Sequence, residues 1–173
     1  MPITTSIEIA APPEVVWHHI VSFAEIPEPK GWLFRSGIAY PKRARIVGEG
    51  VGAVRYCEFS TGAFVEPIEV WDAPNHLEFA VISNPPPMEE WSPWADLHPA
   101  HLEGFMVSEK GEFRLVEQPD GTTHLIGTTW YSHGLGPDWY WRIWSDLIIH
   151  NIHNRVLVHI KASAEKKTVS GKT

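Results

Sequence analysis

One segment constrains this chain more than any other. From Pro137 to about Lys166 the sequence carries no internal glycine or proline, so nothing in it interrupts a helix. Pro137 and Asp138 make a plausible start, because proline fits the first helical position and an acidic side chain suits the positive end of the helix dipole. Apolar residues such as Trp139, Trp141, Ile143, Trp144, Leu147, Ile149, Ile152, Leu157 and Ile160 lie almost all round it. That distribution predicts a long helix buried on more than one side.

The chain before it has the opposite character. Residues 3–10 are β-branched with alternating apolar positions and predict a strand. Pro12 and Pro13 end it and start a helix that runs to about residue 23, with an apolar stripe that includes Val16, Trp17 and Ile20. Residues 24–41 are irregular and aromatic. Short strands are then predicted at 42–48, 53–61, 64–72, 77–83, 105–117 and 122–133. Turn signals separate them: Gly48-Glu49-Gly50 with Gly52, Thr61-Gly62, Ala73-Pro74-Asn75-His76 and Pro119-Asp120-Gly121. Such close spacing predicts antiparallel hairpins in a meander rather than crossover units. Residues 84–104 hold five prolines with Trp91, Trp94, His98 and His101. A long insertion of this kind is expected to fold down over something.

Composition narrows the function. At 173 residues the chain is long enough for one domain, expected over residues 1–165 with a disordered tail at 166–173. The single cysteine excludes an internal disulfide and Cys-based zinc fingers. A formal net charge of −7 argues against nucleic acid and anionic membranes as partners. No apolar run exceeds four residues, so no membrane insertion is expected, and the first Lys or Arg is Lys30. The expected location is cytoplasmic. There is no dinucleotide fingerprint, no Walker lysine motif and no nucleophile elbow. Nine tryptophans, nearly half of the aromatic residues, remain to be explained.

Three stretches carry a family resemblance. They are Ile7-Glu8-Ile9-Ala10-Ala11-Pro12-Pro13-Glu14-Val15-Val16-Trp17, Glu66-Pro67-Ile68-Glu69-Val70-Trp71-Asp72-Ala73-Pro74-Asn75-His76-Leu77-Glu78-Phe79, and Pro119-Asp120-Gly121-Thr122-Thr123-His124-Leu125 continuing to Tyr131. In this order they resemble the START-like helix-grip superfamily (SRPBCC), the polyketide cyclase/lipid-transport group, over about residues 3–165. The resemblance implies an α+β helix-grip fold, a curved antiparallel sheet around the long C-terminal helix with a ligand cavity between them. It brings no universal catalytic motif, so no catalytic residue is carried over.

The residues themselves offer candidates. On the last strand Leu125, Gly127, Thr129, Tyr131 and His133 share one face, and His124, Ile126, Thr128 and Trp130 the other. The first face has polar tips on an apolar run, as a cavity wall would; Trp130 argues for the other phase. On strand 53–61, Arg55 either faces inward and holds a ligand carboxylate, or faces solvent. Cys57 reads as a small buried hydrophobe. On the long helix Asp146, His150 and His153 fall on one face. They could orient a general base, bind a divalent metal, or form an ordinary surface ion pair of Asp146 with His150 or Arg142. His133, Asp146 and His150 are thus the catalytic candidates. Arg55, Trp91, Trp94, His101, Thr129, Tyr131, His133, Trp144, His150 and His153 are the candidate ligand contacts. No metal and no cofactor is expected. The leading expectation is binding of a small hydrophobic ligand, aromatic, polyketide-like or lipid-like. The alternatives are a cyclase, dehydratase or hydrolase using His/Asp acid–base chemistry, and a Trp-rich interaction or homodimerisation module.

Overall fold

The computed structural model describes residues 1–89, 106–134 and 136–170. Among these residues there are ten elements: β1 (Pro2–Ile9), α1 (Pro13–Val21), α2 (Trp32–Arg35), β2 (Pro41–Val47), β3 (Val54–Phe59), β4 (Gly62–Asp72), β5 (His76–Ala80), β6 (Met106–Glu117), β7 (Thr123–His133) and α3 (Asp138–Ser170). The seven strands form one antiparallel sheet in the order β1-β7-β6-β5-β4-β3-β2. Strands β2 to β7 are a meander, and β1 joins it beside the last strand. This is the α+β helix-grip architecture, a sheet curled around a long C-terminal helix.

Local chemistry explains most boundaries. Pro12 caps α1 and Pro13 occupies its first turn, with Glu14 at the positive end of the dipole. The β2–β3 turn places Gly48, Gly50 and Gly52 at φ of 91°, 78° and 88°, where an L side chain would be strained. Strand β5 stops at Ala80, three residues short of the expectation, and Asn84 then clamps the backbone of Ser108 from both sides, at 2.8 and 3.1 Å. The four-residue α2 inside the irregular segment was not expected. Helix α3 runs to Ser170, beyond residue 165 where the domain was expected to end.

Helix α3 corrects one expectation outright. Ser145, Ile149, Val156, Leu157, Ile160 and Ala164 are buried and make a single stripe. Trp139, Tyr140, Ile143, Trp144, Leu147 and Val158 are exposed. The helix is therefore buried on one side only, because the sheet and α1 cover its inner face and nothing among the described residues covers the outer one. The main core packs α1 and the second half of α3 against Ile9, Ile68, Leu77, Leu115 and Leu125. Trp17 and Trp71 meet there edge to face at 5.5 Å. A smaller cluster, Ile3, Tyr131 and Ile149, sits toward the start of α3. None of the helices, among the described residues, is long and apolar enough to cross a membrane.

Candidate functional site

Between the two clusters the sheet and α3 part, leaving a cavity of about 120 Å³. Alternation along the strands decides what lines it. Arg55, Cys57 and Phe59 point in from β3, Phe64 and Glu66 from β4, Phe79 from β5, Phe113 from β6 and Thr129 from β7. Ile149, Ile152, His153, Val156 and Leu157 close it from α3. A smaller annex of about 30 Å³ shares Phe59, Phe64, Met106 and Ile152 and reaches Pro85, Pro86 and Pro87. Gly111 gives the Phe79 ring its place, since a Cβ there would lie 2.5 Å from the ring's Cζ.

The first polar feature is a buried ion pair. Arg55 and Glu66 are register partners on β3 and β4, and their side chains bond directly. Both residues are almost fully buried, at 2% and 5% exposure. The guanidinium is surrounded by the rings of Phe79, Phe23 and Phe113 at 5.2, 5.8 and 5.8 Å. Burial pushes the Glu66 carboxyl upward, against the pull of Arg55. The Arg55 Nε is buried and has no hydrogen-bond partner, which leaves one donor on the cavity wall unspent. Burial likewise pushes the Cys57 thiol up to about 12, so it is not a nucleophile at neutral pH.

The second polar feature is an imidazole held at both ends. His153 Nε2 lies 2.8 Å from the Thr129 hydroxyl, and Nδ1 lies 3.0 Å from the Thr5 hydroxyl. Thr5 also lies 2.9 Å from Nδ1 of His150, which is exposed. Burial, and then the charge of His150, draw the His153 pKa down from 6.5 to about 4, so it is neutral near pH 7.

The structure separates residues that helical spacing puts on one face. Asp146 turns away from both imidazoles and accepts a hydrogen bond from the buried Tyr131 hydroxyl at 2.7 Å. Burial and then Asp146 raise the Tyr131 pKa. Arg142 approaches Asp146 at 3.8 Å. His133 is enclosed next to Tyr131, with Nε2 3.4 Å from Asp138. Of the expected contacts, Arg55, Thr129 and His153 line the cavity; Tyr131, His133, Trp144 and His150 are not among its lining residues. Trp91, Trp94 and His101 lie outside the described residues. Glu66 and Thr5 were missed. An acidic residue directly before Pro67 in an alternating strand was the available hint for Glu66; Thr5 offered none.

One further cluster has metal-ligand chemistry. His76, Glu78 and Glu112 bring ligand atoms within 4.8 Å of one another. By alternation they sit on the sheet face opposite Leu77 and Phe113. Lys110 lies 2.7 Å from Glu78 and Arg114 lies 3.2 Å from Glu112. The carboxylates thus already have cationic partners, and the cluster reads as a cross-strand charge ladder.

Comparison with known proteins agrees with this architecture. The family model described as polyketide cyclase / dehydrase and lipid transport matches residues 2–130. The Zhui aromatase/cyclase from Streptomyces sp. R1128 is 12% identical with a TM-score of 0.62, covering 97% of this chain and 95% of that one. A norcoclaurine synthase from Thalictrum flavum is 12% identical with a TM-score of 0.58, covering 97% and 96%. The Aha1 dimer from Colwellia psychrerythraea is 15% identical with a TM-score of 0.56, covering 95% and 96%. At these identities the likeness concerns the fold. No curated protein sequence matches the chain.

Proposed function

The chain belongs to the polyketide cyclase/dehydrase and lipid transport family, and from that premise we propose that its cavity binds a small, largely hydrophobic ligand with one polar substituent. The observation that carries this reading is the distribution of chemistry on the wall. Phe59, Phe64, Phe79 and Phe113 with Ile152 and Leu157 make it largely apolar, and the polar pairs Arg55/Glu66 and Thr129/His153 share the wall with Ser108, Lys110, Glu112 and Thr128. Binding sites of this type take their affinity from dry burial and their orientation from a few fixed hydrogen bonds. A cavity of about 120 Å³ is of the order that accepts a single aromatic ring. The unspent Arg55 Nε–H and the Thr129 hydroxyl suit an oxygen on that ring. A phenol therefore fits better than a plain hydrocarbon.

The test is calorimetry with phenol and with benzene, alongside native mass spectrometry of freshly purified protein for a co-purifying molecule. Phenol is expected to bind once per chain and more tightly than benzene. Ile152→Trp, which fills the cavity from α3, is expected to abolish binding while leaving the circular dichroism spectrum unchanged. Equal binding by Ile152→Trp sinks the reading.

A second reading rests on a separate observation. Trp139, Ile143 and Leu147, at 68%, 61% and 41% exposure, form an i, i+4, i+8 stripe on the outer face of α3, and Tyr140 and Trp144 extend it. Exposed apolar stripes of this kind mark interaction surfaces. This one fits a homodimer, in which two such stripes cover each other. Sedimentation equilibrium is expected to show a dimer that Ile143→Ser and Leu147→Ser together convert to a monomer.

A further inference from the structure

Two imidazoles and two hydroxyls join the cavity wall to solvent without a break. Thr129 and His153 line the cavity. The links run from the Thr129 hydroxyl to His153 Nε2 (2.8 Å), from His153 Nδ1 to the Thr5 hydroxyl (3.0 Å), and from Thr5 to Nδ1 of the exposed His150 (2.9 Å). We propose that Thr129, His153, Thr5 and His150 form a proton path, which makes the cavity an acid–base site for a ligand oxygen. The proposal rests on the cavity being the ligand site.

Hydrogen-bond arithmetic carries the argument. The Thr5 hydroxyl has one hydrogen and stands between two Nδ1 atoms. It can donate to only one of them, so the other ring must supply an Nδ1–H. This leaves two settings. In the first, His150 donates from Nδ1 to Thr5, Thr5 donates to His153, and His153 donates from Nε2 to Thr129. The Thr129 hydrogen is then free for a ligand oxygen. In the second, Thr5 donates to His150, His153 donates from Nδ1 to Thr5, and Thr129 donates to the bare Nε2 of His153. Thr129 then offers the cavity only a lone pair.

Passing from the first setting to the second moves one proton across each link. His150 gives its Nδ1 proton to Thr5, Thr5 gives its own to His153, His153 gives its Nε2 proton to Thr129, and Thr129 protonates the ligand oxygen. Only N–H and O–H bonds break and form, and His150 recovers its proton from water. The reverse order removes a proton from a ligand hydroxyl. A protonated His150 has hydrogens on both nitrogens, so it permits only the first setting.

The surroundings suit a relay. No charged side chain occurs between Ile3 and Ile7 on β1 or between Gly127 and Tyr131 on β7. On α3, Asp146 is engaged by Tyr131 and Arg142, and Arg155 by the carbonyls of Pro41 and Pro27. Across the cavity Arg55 and Glu66 neutralise each other, and Lys110 and Glu112 have their own ion pairs. Burial keeps His153 neutral, so it can take a proton at one nitrogen and release one at the other without holding the charge.

The test is nitrogen-15 NMR of the histidine rings in the full chain, titrated without ligand. Protonation of His150 is expected to shift His153 toward its Nε2–H tautomer. Thr5→Val is expected to abolish that shift, and Thr5→Ser to retain it. A His153 tautomer that ignores His150 in the unaltered chain overturns the path, as does an unchanged response in Thr5→Val. Calorimetry with phenol separates the two layers. Lost coupling with phenol still bound removes the path alone; retained coupling with no phenol bound removes the ligand site on which the acid–base role depends.

Discussion

At the scale of single residues, Arg55 and Glu66 carry the sharpest energetic contrast. Taking two charges out of water costs about as much as their attraction returns. Removing one partner is therefore far worse than removing both. Arg55→Met is expected to destabilise the chain by about 3–5 kcal/mol, because it strands a buried carboxylate. Arg55→Met with Glu66→Leu is expected to recover most of that loss in urea denaturation, while phenol no longer binds better than benzene. His153 makes a second prediction. Its folded pKa of about 4 lies below the ordinary 6.5, so folding favours the neutral ring. The stability it contributes is complete above about pH 6.5 and is lost as pH falls toward 4. One pKa unit corresponds to about 1.4 kcal/mol, so this single ring costs roughly 3 kcal/mol over that interval. Denaturation at pH 7 and at pH 4.5 should show a smaller difference for His153→Gln than for the unaltered chain. Neither pair of partners was legible beforehand. Arg55 and Glu66 meet through strand register, and His153 meets Thr5 across 148 positions. Alternation says which face a residue occupies, not what stands opposite it.

At the scale of elements, the strands were legible and the helix surface was not. Alternation and turn glycines located all seven strands within a few residues, since both signals are local. The phase of β7 stays open at that level, because Trp130 argues for the opposite face. Leu125 and Tyr131 are wholly buried, whereas Trp130 lies on the other face with the Lys110 ammonium 5.1 Å from its ring. A tryptophan can cover that face because a long lysine stem and head pack against it. Helix α3 misled because apolar content reports how much of a helix avoids water, not how much the rest of the chain covers. Strand β6 adds a prediction. Alanine is ordinarily better than glycine in a strand by roughly 0.5–1 kcal/mol. At Gly111 the added Cβ meets Phe79 at 2.5 Å, and overpacking costs about 1–3 kcal/mol. Gly111→Ala is therefore expected to lower stability and to push the Phe79 ring toward the cavity, weakening phenol binding about tenfold in calorimetry.

At the scale of the whole molecule, one pairing stands apart from the others. Strands β2 to β7 each lie beside their sequence neighbour, so their contacts form by closing short turns, except between β5 and β6, which the long connection from Ala80 to Met106 joins. Strand β1 instead pairs with β7, and Thr4 meets Thr128 across 124 positions. Closing so long a loop costs entropy before any contact rewards it, and such pairings form slowly. The meander can therefore assemble ahead of the first strand. Thr5 rides on that strand, so a chain still waiting for β1 has its hairpins in place but lacks the hydroxyl between the two imidazoles. The proposed proton path is complete only when the last strand docks, so a folding intermediate of this protein would look largely native by its sheet while lacking that path.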